Sequence, residues 1–155
     1  YAEERLFTED KSIKKYGAIP VYAFNFVDYV LWKNRAELEK EYKDINFDHF
    51  KFAYRRSVEH WFPQHPNSDE RVEKIDDKFL HSFGNLCIIT DSQNSKFGNL
   101  VPSAKYKQWE GIFNRQSLKL QMMADVTVKN DKWGICEIQS MEKEVERYVH
   151  DFCDG

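Results

Sequence analysis

The run Leu86-Cys87-Ile88-Ile89-Thr90 is short and half β-branched, with Gly84-Asn85 before it and the capping types Asp91-Ser92 after it. It predicts a strand, because branched side chains fit a pleated surface and so few residues make a poor buried helix. A second strand is expected upstream. Phe50, Phe52 and Tyr54 alternate with Lys51, Ala53 and Arg55, a period of two that leads directly into Ser57-Val58-Glu59-His60, and Pro63 and Pro66 then end regular structure. Most of the remaining chain reads as helix. Phe24, Val27, Val30, Leu31, Leu38 and Tyr42 recur at three- and four-residue steps, predicting an amphipathic helix from Ala23 to Tyr42. A short helix from Ser92 to about Phe97 closes at Gly98 and Asn99, a longer one runs from Ala104 to Met123 after Pro102, and a last amphipathic helix covers Glu137 to Phe152. Gln64 to Ser82 is a polar connection in which Asn67 to Arg71 passes from loop into a short helix.

A length of 155 residues suits one domain, and 41% hydrophobic residues with 12 Phe, 8 Tyr and 4 Trp can bury enough apolar area to offset chain ordering. No repeat, low-complexity tract or flexible linker divides the chain, so residues 1–155 are expected to form a single domain. The opening at Tyr1 reads as a processed chain or a fragment of a larger one. No apolar stretch approaches the roughly 18 residues of a membrane span, and the start lacks a signal-peptide pattern. Cys87, Cys136 and Cys153 are odd in number and include no Cys-x-x-Cys pair, which fits a reducing cytoplasm, with Cys87 a small core hydrophobe.

The net charge of −3 hides an asymmetry. Gln139 to Gly155 carries five acids against Lys143 and Arg147, whereas Ser92 to Gln121 carries Lys96, Lys105, Lys107, Arg115 and Lys119 against Glu110 alone. A polyanion would be met on the second segment, although the same charges also suit a solvated helix face.

Glu59 and His60 are adjacent at a strand end, where side chains alternate unless the strand bends, and Pro63 makes a bend credible. Asn85 opens the second strand and Asn94 falls on the helix after it. A strand, strand, helix unit of this kind can bring a carboxylate, an imidazole and a carboxamide together as a hard divalent cation requires. Taken singly, Asn85 reads as a turn residue, Asn94 as a capping residue, and His60 as a hydrogen-bonded, half-buried ring. His49, His65, His81 and His150 read as inert, with His65, nearest the pair, worth watching. Trp61 and Phe62 are expected to pack beneath the site.

The three segments Ser57-Val58-Glu59-His60-Trp61-Phe62-Pro63-Gln64, Phe83-Gly84-Asn85-Leu86-Cys87-Ile88-Ile89-Thr90 and Gln93-Asn94-Ser95-Lys96-Phe97-Gly98-Asn99 together resemble an HNH nuclease. They are most similar to the Glu-His-x-x-Pro-Gln branch found as the C-terminal domain of GmrSD-type modification-dependent restriction endonucleases. The match centres on about residues 47–106. The resemblance implies an α+β fold, a ββα-metal core embedded in a mainly helical domain. It implies cleavage of DNA phosphodiester bonds with a divalent cation, magnesium or manganese. His60 would be the general base, Asn85 would orient its ring, and Glu59 and Asn94 would hold the metal. Lys96 and Asn99 would approach the nucleic acid, with Arg56 and Lys105 as further phosphate contacts. Glu59 stands where the broader HNH pattern has Asp, and Asn94 where many relatives have a second histidine.

The implied partners are phage or modified DNA and a further targeting or NTPase module, since the acidic balance is unusual for a self-sufficient DNA binder. No Gly-x-x-x-x-Gly-Lys-Ser/Thr motif is present for nucleotide hydrolysis by that route. Two other functions remain open from sequence: a non-catalytic nucleic-acid-binding or regulatory module, and a toxin that cleaves RNA.

Overall fold

In the computed structural model the described residues are 16–66, 74–92 and 97–154. Along the chain they form α1 (Val21–Lys33), α2 (Arg35–Leu38), β1 (Ser57–His60), α3 (Asp77–Leu80), β2 (Leu86–Ile89), α4 (Pro102–Trp109), α5 (Leu118–Asn130) and α6 (Ile135–Asp154). Single turns of 3-10 helix lie at Phe47–His49 and Phe83–Asn85, and a longer one at Glu110–Arg115. β1 and β2 pair antiparallel, with Ser57 opposite Ile89, Val58 opposite Ile88, Glu59 opposite Cys87 and His60 opposite Leu86. The architecture is α+β. β2 is there as expected, only Ser57–His60 of the expected first strand forms one, and the expected helix after β2 falls largely on residues outside those described.

All four β2 residues are buried, which is what an apolar run without polar alternation requires. They pack under α1, whose Ala23, Phe24, Val27, Val30 and Leu31 form one buried face, and against Leu120, Met123 and Ala124 of α5. α6 closes the core with Ile138, Met141, Val145 and Val149, at the three- and four-residue steps of an amphipathic helix. Cys87 is buried at the sheet centre, and burial pushes its thiol up to about 12, so it behaves as a small apolar residue.

Three expectations need correction. The alternation from Phe50 to Tyr54 does not make a strand: Phe52 and Tyr54 are 57% and 77% exposed, and the segment has no ladder partner among the described residues. Its carbonyl groups turn inward onto one cation instead. The buried Arg55 guanidinium donates to Lys51 O and Ala53 O at 3.4 Å each and to Arg115 O at 2.9 Å, and lies over the Phe50 ring. The first long helix divides at Asn34, whose amide donates to Val30 O at 2.8 Å and closes α1. The helix expected from Ala104 to Met123 divides as well. Ser117 caps α5 by accepting from Leu120 N, and its hydroxyl donates to Asp28 Oδ1 on α1 at 2.8 Å. Breaking the helix there puts a cap where it also ties two elements together.

The turn before β2 approaches α6 closely. A methyl group on Gly84 would sit 2.1 Å from the Ile138 carbonyl oxygen and 3.0 Å from Glu142 Cβ, so glycine is required by contact with the α6 backbone. Gly84→Ala is expected to lower stability by about 3 kcal/mol, measured by chemical denaturation, because only a shift of the whole helix relieves the clash.

Candidate active site

β1 ends in the pair Glu59-His60, and both line a cleft of about 340 Å³ together with Tyr16, Val58, Pro63, Gln64, His65, Gly98 and Asn99. Strand alternation alone would send the two side chains apart; the chain bends immediately after His60, and Asn85 holds that bend. The Asn85 side chain is fully buried. Its Oδ1 accepts from Phe62 N at 2.9 Å and Trp133 Nε1 at 3.0 Å, while Nδ2 donates to Phe62 O at 3.1 Å and Leu80 O at 2.9 Å. Its backbone carbonyl accepts from Trp61 N at 2.9 Å. Every hydrogen-bonding position of the carboxamide is therefore committed to the two residues after His60 and their surroundings.

Lys105, on α4, reaches the same strand end from the other side. Its ammonium group is fully buried and donates to Glu59 Oε1 at 3.0 Å, His60 O at 2.8 Å and Trp61 O at 2.9 Å, with the Trp61 and Phe97 rings each 5.5 Å away. Three acceptors match its three donors. Burial pushes the Glu59 carboxyl up and pulls the Lys105 ammonium down, and the attraction within the pair opposes both shifts. A second buried lysine, Lys119 on α5, donates to Phe83 O at 3.0 Å and to Leu86 O, pinning the turn that carries Asn85.

The His60 ring has partners on both nitrogens. Nε2 lies 3.0 Å from His81 Nδ1, and Gln64 Nε2 lies 3.3 Å from His60 Nδ1. The Tyr16 ring packs 4.5 Å from His60 and stacks on His81, while Tyr16 N donates to His81 O at 2.9 Å. Burial, with His81 and Lys105 facing the ring, pulls the His60 pKa down to about 4. The shift favours the neutral imidazole, the form in which one ring nitrogen carries a free lone pair.

An imidazole, a clamped carboxylate and a fixed Gly-Asn turn thus meet at one strand end. The model of the family described as GmrSD restriction endonucleases, C-terminal domain, matches residues 7–145. The chain belongs to that family. No curated protein and no solved structure matches it.

In this GmrSD C-terminal domain the residues singled out from sequence separate into three groups. Glu59, His60 and Asn99 meet at the cleft. Asn94 and Lys96 lie outside the described residues. Asn85, Lys105 and Arg56 do other work than expected. Asn85 contacts the backbone beyond His60 rather than the ring, which His81 and Gln64 contact instead. Lys105 is sealed inside against Glu59 and cannot reach a phosphate. Arg56 is exposed but paired with Asp91 at 2.6 Å. The expected basic segment is also thinner than its composition implies, since Lys105 and Lys119 are both buried. Their long stems cross apolar surface and their ammonium groups end on carbonyl oxygens that no sequence pattern displays. Trp61 and Phe62 are buried beneath the cleft as expected. His81, read from sequence as inert, is the residue most clearly missed. Its only signal was its place four residues before Asn85, within the turn that returns to β1.

Lys105→Met is expected to cost about 3–5 kcal/mol by stranding the Glu59 carboxylate; the double variant with Glu59→Leu should recover much of that loss in chemical denaturation. A pH effect also follows from His60. An unfolded histidine titrates near 6.5 and this ring near 4, so between those values the unfolded chain binds the extra proton and stability falls as pH drops. Asp28 works in the opposite sense: burial raises its carboxyl to about 6, so stability is gained as pH falls through 6 towards 3.8. Denaturation at about pH 7 and about pH 4.5 should therefore show a smaller acid loss in His60→Gln than in the parent chain.

Proposed function

We propose that this chain is an HNH-type DNA endonuclease domain, the cleaving part of a modification-dependent restriction or anti-phage system. The observation that carries the proposal is the His60 imidazole, engaged at both ring nitrogens, in a cleft shared with the clamped Glu59 carboxylate. Membership of the restriction endonuclease family supports the same reaction class.

Among the described residues no three His, Cys, Asp or Glu side chains gather around an ion position, and the one carboxylate at the cleft suits a hard divalent cation in kind. Glu59 contributes a carboxylate of which Lys105 engages only Oε1, and among the described residues Oε2 takes no hydrogen bond. Glu59 would hold the ion, with Asn94, outside the described residues, as the second ligand. When bound, magnesium or manganese would supply neutralisation of the negative charge that grows on the phosphate and the leaving oxygen. The chain's own residues do the rest. His60 accepts a proton from the attacking water as its oxygen bonds to phosphorus; the bond from phosphorus to the leaving sugar oxygen breaks, and that oxygen leaves with a proton drawn from solvent. Lys105 keeps the Glu59 carboxylate ionised and fixed, while Asn85 keeps the strand end bent towards the cleft. Asn99, exposed on the cleft rim, would meet the nucleic acid, and Lys96, outside the described residues, would be a further contact.

Affinity for DNA comes largely from phosphate neutralisation, and a chain of net charge −3 with two of its lysines buried has little to offer. Targeting is accordingly assigned to a separate domain or subunit. With magnesium or manganese present, the protein is expected to nick or linearise plasmid, and His60→Ala to slow cleavage by about 100-fold or more with an unchanged circular dichroism spectrum. Parallel assays on single-stranded RNA separate a DNA enzyme from an RNA-cleaving toxin. A folded protein that leaves DNA intact with either metal, whether or not His60 is present, would overturn the reading.

A further inference from the structure

His60 carries one ring proton when neutral, and the structure limits where it can be. The Gln64 amide nitrogen is a donor only, and it faces Nδ1 at 3.3 Å, so Nδ1 is the accepting nitrogen. That arrangement is satisfied when the proton sits on Nε2 and is donated to His81 Nδ1, 3.0 Å away. The two rings stand almost perpendicular, at 83° with centroids 5.2 Å apart.

The two contacts differ in permanence. Gln64 is exposed on the cleft, and its long contact is one that an entering water can replace. His81 is held. Its N–H donates to Asp77 O at 3.1 Å at the end of α3, its carbonyl accepts from Tyr16 N, and the Tyr16 ring stacks on its face at an interplanar angle of 24°. It is also not among the residues that line the cleft.

We propose that His81 is a positioning residue: by accepting the Nε2 proton of His60 it fixes the tautomer and leaves the Nδ1 lone pair facing the cleft as the group that takes the proton from water. The inference rests on the nuclease reading above and adds to it which nitrogen acts and what holds it. Asn85, fully committed to backbone and Trp133, has no capacity left for this task.

The test combines kinetics with a direct readout of the proton. In the metal-loaded protein, His81→Ala is expected to lower kcat for plasmid cleavage by about 10- to 100-fold while KM stays within about 2-fold. His81→Asn, whose carboxamide oxygen can stand close to the lost Nδ1, should recover most of the rate. In parallel, nitrogen-15 correlation spectra at neutral pH should show His60 protonated on Nε2 in the parent and in His81→Asn, and a mixture of tautomers in His81→Ala. Wild-type kcat in His81→Ala, or a parent His60 protonated on Nδ1, overturns the inference. If His60→Ala abolishes cleavage while His81→Ala is silent, only the positioning role is lost; if His60→Ala cleaves normally, the nuclease reading itself fails. Should His81→Ala fold poorly, the parent spectrum and His81→Asn still decide.

Discussion

A buried ammonium group holds this site together. Lys105 has no exposed surface, yet all three of its donors are used: one on the Glu59 carboxylate and two on the carbonyls of His60 and Trp61. Each group would be costly alone in the interior, and together they satisfy one another. The ammonium thus does for the strand end what backbone pairing does further back, where β1 meets β2. It also ties α4 to the sheet at the point where the chain turns away from it.

Asn85 performs the complementary task with a neutral group. Four hydrogen bonds from one carboxamide set the path of residues 61 and 62 and anchor the Trp133 indole before α6 begins. Lys119 braces the same turn from α5 through the carbonyls of Phe83 and Leu86. The catalytic candidates therefore stand on rigid elements, and the polar atoms beneath them are largely paired, which is the condition for a cleft that keeps its shape.

Much of this was legible in the sequence where the pattern was strong. The β-branched run gave β2, the three- and four-residue spacing gave α6, and the Glu-His pair with its Gly-Asn partner marked both the cleft and the family. What was not legible depended on distant partners. The alternation at Phe50 to Tyr54 looked like half a sheet because a sequence does not say whether a second strand lies alongside; carbonyls gathered by Arg55 look the same from composition. Lysines counted as surface charge proved to be internal fasteners, since a lysine's destination is set by the acceptors it can reach. Asn85, expected to orient the His60 ring, engages main chain and the Trp133 indole instead. His81 had no local pattern to mark it, because its importance arises only when α3 is folded back against β1.

The closeness of Gly84 to the Ile138 carbonyl has a mechanical meaning. With no slack between the two backbones, α6 and the turn carrying Asn85 form a stiff linkage. Any side chain at position 84 would have to push the 20-residue last helix away from the turn that carries Asn85, so the seating of that helix and the floor of the cleft are set by the same glycine.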